Sequence, residues 1–131
     1  MASVLDLVKA AAVRLQLPTP STAIGNADPF TAQILGALFA SADELLDRYP
    51  VNRLLPDRAW AKAADGTVKP APTIDTDVVM IDEGLIKSAI LWRWRSDNGF
   101  DYAEDFRTVE ERLSRLGLAY TKTQRGDAIQ L

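Results

Sequence analysis

Two stretches of this chain hold residues with the means to do chemistry. In Thr73-Ile74-Asp75-Thr76-Asp77 the carboxylates of Asp75 and Asp77 alternate, and Asp82-Glu83 follow shortly after, so oxygens are available for a divalent cation. The set lacks the spaced oxygen-rich loop and the glycine of a calcium motif. The expectation is therefore an ordinary one, with Asp77 or Asp82 capping a helix and the others solvating the surface. In Trp92-Arg93-Trp94-Arg95 two indoles alternate with two guanidinium groups, a mixture able to stack on bases and hold phosphates. On a helix, however, positions 92 and 94 point about 200° apart and form no single platform. Asp97, Asp101, Glu104 and Asp105 follow at once, which opposes a nucleic-acid site. The arginines are expected to pair with carboxylates of the next helix or of a neighbouring chain.

The rest of the composition narrows the chemistry. With no histidine and no cysteine there is no imidazole base, no thiol nucleophile, no disulfide and none of the usual zinc ligand sets. Gly25 and Gly117 are read as isolated turn glycines without phosphate-loop spacing. Since no acid, base and nucleophile converge, the chain is expected to be no enzyme and to need neither cofactor nor metal. A net charge of -3, with both signs spread along the chain, opposes a free-standing binder that works by neutralising phosphates. The alternative of a small helical DNA-binding or regulatory protein would use Arg93, Arg95, Arg107, Arg112 and Arg115 as a basic surface. Asp6 and Lys9 interrupt the apolar pattern of the first seventeen residues, so neither signal peptide nor membrane span is expected.

The elements that must carry these residues follow from periodicity. With 131 residues and 47% apolar content, one domain with a core is expected. Residues 3–16 predict a helix, with Val4, Leu7, Val8, Ala11 and Leu15 on one stripe and Ser3 and Asp6 as a capping box. Pro18 and Pro20 stop it. Asp28-Pro29 opens a second helix reaching about Tyr49, with Ile34, Leu35, Leu38, Ala42, Leu45, Leu46 and Tyr49 inward. Its polar face is Gln33, Ser41, Glu44 and Asp47. Prolines 50, 56, 70 and 72 forbid a long helix over 50–79, where Asp65-Gly66 suits the type I′ turn of a small hairpin. A third helix runs from about 79–82 to 96–97. Gly99 or Asn98 ends it in a left-handed conformation, and a fourth runs from an Asp101 cap to Leu118, packed on the third as an αα-hairpin. The expected fold is mainly α: a small four-helix bundle over 1–118, with a hairpin or extended insertion at 50–79 and an extended C-terminal tail at 119–131.

Within that frame Trp92 shares a stripe with Ile81, Leu85 and Ala89 and is expected to face the core. Trp94 is expected to turn away, toward a protein contact, since tryptophan and arginine are enriched at interfaces. The interface candidates are Ile90, Trp94 and Arg95 on one face, Trp60, Val68 and Ile74 on another, and Tyr120, Ile129 and Leu131 on the tail.

The order of several fragments resembles a known family. Arg14-Leu15-Gln16-Leu17-Pro18, then Asp28-Pro29, then Leu45 to Arg48-Tyr49, is similar to the start of small head-tail adaptor proteins of tailed bacteriophages, also called head completion or connector proteins. Trp92-Arg93-Trp94, followed by Gly99-Phe100-Asp101-Tyr102-Ala103-Glu104-Asp105-Phe106, resembles the second helical pair of the same family. Relatives usually carry a longer β-rich insertion than the 50–79 segment here. The resemblance implies a non-enzymatic virion protein, made in the host cytoplasm and placed in the head-tail neck. It would be a homo-oligomer, a ring of about twelve subunits in this family, contacting the portal and a tail or neck protein. Duplex DNA would pass through its channel without sequence-specific binding, and no membrane would be involved. Such a ring needs two different faces per subunit.

Overall fold

A computed structural model describes the backbone of residues 1–129 and the side chains as far as Gln124. The chain is mainly helical with a small three-stranded antiparallel sheet. Helix α1 (Val4–Arg14) begins as the sequence predicts: Asp6 donates its N–H to Ser3 Oγ at 3.1 Å, and Ser3 donates its own to Asp6 Oδ2 at 3.3 Å. It stops two residues before the predicted end and ahead of Pro18. The N–H of Leu17 reaches Ala12 O and that of Gln16 reaches Val13 O, closing the helix with Gln16 at φ +59°.

Helix α2 (Pro29–Leu45) is capped by Asp28, whose carboxylate accepts from the Thr31 N–H and hydroxyl, with Pro29 in the first turn. It ends short of Tyr49, and after the cis Tyr49–Pro50 bond comes a single turn, α3 (Val51–Leu54). The hairpin forms from β1 (Ala61–Lys62) and β2 (Val68–Lys69). Its turn is not type I′. Only Gly66 has positive φ, the Gly66 N–H bonds Ala63 O, and the Ala63 N–H bonds Thr67 O, which makes a three-residue loop ending on a left-handed glycine.

A third strand, β3 (Val78–Val79), pairs with the other edge of β1, and Ser3 bridges to Val78 beyond it. Nothing in the local pattern of 75–79 announced this strand. It is held by its neighbours: the Val4 and Leu5 N–H groups reach Asp77 O and Asp75 O, and Val79 N–H reaches Ala2 O. The hairpin also has its support, because Trp60 is buried and meets Phe39 of α2 edge-on at 5.3 Å.

Helix α4 (Glu83–Asp97) starts on the Asp82 cap, and Gly99 at φ +78° reverses the chain into α5 (Ala103–Ile129). Asp101 accepts the Ala103 N–H, so the helix begins slightly later than predicted. The segment expected to be an extended tail is helical through Ile129; Leu131 lies outside the described residues. Once a helix is nucleated, each further residue adds a hydrogen bond for little ordering cost. Tyr49 and Tyr120 also pack edge-on at 5.9 Å, anchoring the continuation to the end of α2. Gly117 is thus a helical glycine, not a turn, and a Cβ there would lie 3.0 Å from the Tyr49 ring.

Helices α1, α2 and α5 all pack on α4, with Leu7, Val8, Ile34, Leu38, Leu85, Ile86, Ile90 and Val109 at the centre. Among the described residues no helix is long and apolar enough to cross a membrane. Two predictions follow from these joints. Gln16→Gly relieves a left-handed non-glycine residue and should raise unfolding free energy by about 1 kcal/mol in urea denaturation, net of the added freedom of the unfolded chain.

The second concerns Asp77, which is fully buried and accepts from Lys69 Nζ and from the Thr73 and Ile74 N–H groups. The Lys69 hydrogen bond, then the backbone donors, hold its pKa at about 2 against an ordinary 3.8. Because the folded value is depressed, its contribution is complete above 3.8 and is lost as pH falls through about 2. Urea midpoints should drop across that window, and Asp77→Asn, weaker near neutral pH, should show a smaller drop.

Candidate functional site

The face-by-face placement of α4 reverses the expectation for its tryptophans. Trp94 is buried, donates Nε1–H to Gln33 Oε1 of α2 at 3.1 Å, and is covered by the Phe100 ring stacked at 5.7 Å. Trp92 is only half-buried, turned toward α5 with Tyr102 and Phe106 at 5.9 and 5.3 Å. The reason is that α4 lies between α2 and α5, so both sides 200° apart meet protein. Ile90 and Trp60 are buried as well, which removes all three of Ile90, Trp94 and Trp60 as exposed contact residues. Val68 and Ile74 are more than half exposed. Tyr120 is half-buried against Tyr49, and the Ile129 side chain and Leu131 fall outside what is described.

The arginines are paired, as expected, but across the fold. Arg95 meets Asp105 of α5, and Arg93 meets Glu44 of α2 while its guanidinium carbon sits 4.8 Å from the Trp92 ring centre. Arg112 makes a two-pronged bond to the Asp82 cap, and Arg107 pairs with Glu104 and, at 3.9 Å, with Glu111. Of the five arginines that a nucleic-acid reader would use, Arg93, Arg95, Arg107 and Arg112 are paired within the chain and Arg115 makes no ion pair among the described residues. Burial raises the Asp82 carboxyl, but the Arg112 and Leu85 donors outweigh it and leave the group below its usual range. Arg48 and Glu110 join α2 to α5 through bonds of 3.1 and 2.8 Å, and that bond lowers the Glu110 pKa.

The carboxylates with the spacing for a cation bind backbone instead. Asp75 accepts from the Ala23 and Ile24 N–H groups at 3.0 and 2.7 Å, tying the 18–28 connection to the sheet, while Asp77 is taken up as described above. Among the described residues no group of three or more acidic side chains could hold a metal ion.

What the fold does expose is an aromatic end. Phe100, Tyr102 and Phe106 are 58%, 42% and 40% exposed around the α4–α5 turn, and rest on Trp94 and Trp92 beneath. The sequence signal was present, since all three belong to the Gly99–Phe106 connection, but the paired tryptophans drew the assignment to themselves. On α2 the sequence placed Gln33 correctly outward but not the rest of the exposed face. Ser41, assigned to the polar face of α2, is buried, and the true outer face is Phe30, Ala32, Gln33, Gly36 and Ala40. The absence of any charge between residues 29 and 42 was its readable sign.

These placements order the two tryptophans by stability. Trp94→Ala should cost about 3 to 5 kcal/mol in urea denaturation. Trp92→Ala should cost less, since its indole is partly in water already. Equal losses would contradict the assignment of faces.

Comparison of the chain with protein-family models, with curated proteins and with solved structures gave no match, so a reading of its function rests on its own residues.

Proposed function

We propose that this chain is a structural subunit of a head-tail adaptor of a tailed bacteriophage, a non-enzymatic virion protein that assembles as a ring beneath the portal. In this reading the four long helices form a bundle that is the body of the subunit, and the ring extends the DNA channel and receives the tail or the next neck protein. The observation that carries the proposal is the exposed aromatic end. Phe100, Tyr102 and Phe106 lie within the segment on which the family resemblance rests, and three large rings in water at one end of a small body suit a surface that another protein covers. Further support comes from the other matched fragments, which coincide with joints of the fold: the closure of α1 at Gln16, the Asp28-Pro29 cap, and Arg48-Tyr49 clasping α5. Val68 and Ile74 on the hairpin side offer a second exposed face.

The test is co-purification with the portal protein of the same phage, followed by image reconstruction of the complex. The expected result is a stoichiometric ring seated on the portal. Phe100→Ser combined with Phe106→Ser should keep the helical circular dichroism and abolish attachment. Portal and chain that remain separate at every concentration tried would overturn the proposal.

A further inference from the structure

The outer face of α2 is unlike the exposed face of an ordinary surface helix. Between Pro29 and Ala42 there is no charged residue, although Phe30, Ala32, Gln33, Gly36 and Ala40 all face water. Ala32, Gly36 and Ala40 recur every four residues and so lie along one line of the helix. A Cβ built on Gly36 would meet nothing within 4 Å, so the line is an open hollow. Arg93, Trp94 and Asp97 of α4 and the following Asn98 form its wall, enclosing about 280 Å³ with α2, and the Arg93 guanidinium is already paired with Glu44. Asp97 stands at its mouth without a cationic partner among the described residues.

The matching shape is on the same chain. Helix α5 has 27 residues against the 15 of α4, about 40 Å against about 22 Å. Its second half therefore runs past the Glu83 end of α4, where Arg112 meets Asp82. After Arg112, Leu113 and Leu116 still pack on the core, and Gly117, Tyr120 and Thr121 meet Tyr49. On its free side Arg115, Leu118 and Lys122 fall at i, i+3 and i+7, all exposed, with Leu118 at 72%. From Arg112 to Gln124 there is no carboxylate. A basic ridge with one protruding leucine thus faces solvent, and so does a hollow whose arginine is already paired with Glu44 and whose rim acid is not paired among the described residues.

We infer that the projecting half of α5 docks into the α2–α4 hollow of a second copy of this chain, Leu118 lying over Gly36 and the basic residues beside it meeting Asp97. The two surfaces do not meet within one chain. Trp94 marks the hollow and Trp92 marks the side of α4 that carries α5, and these point about 200° apart. The contact is heterologous, so it repeats from copy to copy and closes as a ring or continues as a filament. Pairing of α2 with a copy of itself would bury the same hollow, but it would leave Leu118 in water and Asp97 without a cation. The inference deepens the adaptor reading by naming the contact between neighbours, and rests on that reading only for its setting.

The chain has no cysteine, so disulfide trapping has a clean background. Gly36→Cys and Leu118→Cys chains, full length, are purified separately, mixed and mildly oxidised without portal. A bond requires Cα atoms within about 7 Å, an approach the small residues of the hollow permit. The expected product is the mixed disulfide, in excess of both homodimers, and it should be lost when the partner of Gly36→Cys carries Arg115→Glu and Lys122→Glu beside Leu118→Cys. Preferential bonding of Gly36→Cys to itself would establish the α2–α2 arrangement instead. A statistical mixture of products would mean no specific contact. Either result overturns the inference while leaving portal attachment, measured separately, to decide the adaptor reading. Conversely, a specific mixed disulfide with no portal binding would leave the head-to-tail contact standing alone.

Discussion

Helix α4 is contacted by α1, α2 and α5, and so loses water from three directions along its length. A helix in that position has to be apolar nearly all round, and it is: Leu85, Ile86, Ala89, Ile90, Leu91 and Trp94 are buried, with no single polar stripe left between them. The polar groups it retains must then find partners on the neighbouring helices. Arg93 does so on α2 and Arg95 on α5, while Trp94 gives its indole N–H to Gln33. The alternation of tryptophan and arginine is the signature of a central helix whose last turn is enclosed on several sides.

The loops obey a second rule, that backbone donors removed from water must be met. Carboxylates meet many of them here. Asp28 and Asp82 cap α2 and α4, Asp75 receives two N–H groups of the 18–28 connection, and Asp77 receives two more beside the Lys69 ammonium. The middle segment is held by these anchors together with Trp60 against Phe39. Asp82 is bound twice, by the Leu85 N–H and by Arg112, so the start of α4 and the middle of α5 are joined at one carboxylate. The carboxylates that resemble a cation site by spacing are bound here by the protein's own donors, Asp77 through Oδ2 alone.

The surface that remains is uneven. Most charged side chains on the body are engaged in pairs, while large rings at the α4–α5 turn and an uncharged stretch of α2 face solvent. Apolar area in water costs about 25 cal/mol per Å², so such surfaces are most simply understood as parts of a contact. They occur on separate regions of the chain, the aromatic rings at the α4–α5 turn and the uncharged stretch along α2.

The helix starts were legible in the sequence because their chemistry is local: Ser3 with Asp6, Asp28 with Pro29 and Thr31, and Asp82 with Leu85 act within three residues of one another. The turn at Asp65-Gly66 and the break at Asn98-Gly99 were legible for the same reason, and the positive φ falls on the glycine in each. The inward stripes of α1 and most of α2 also followed, since each of those helices buries one side. What periodicity could not supply was the set of neighbours. Burial of Trp94 instead of Trp92, the third strand at Val78–Val79, the continuation of α5 over Tyr49, and the exchange of Ser41 for Ala40 on the outer face of α2 all depend on residues tens of positions away. Local hydrogen bonding determined where the elements begin, and tertiary packing alone decided which of their sides lost water, because that depends on what the folded chain brings against them.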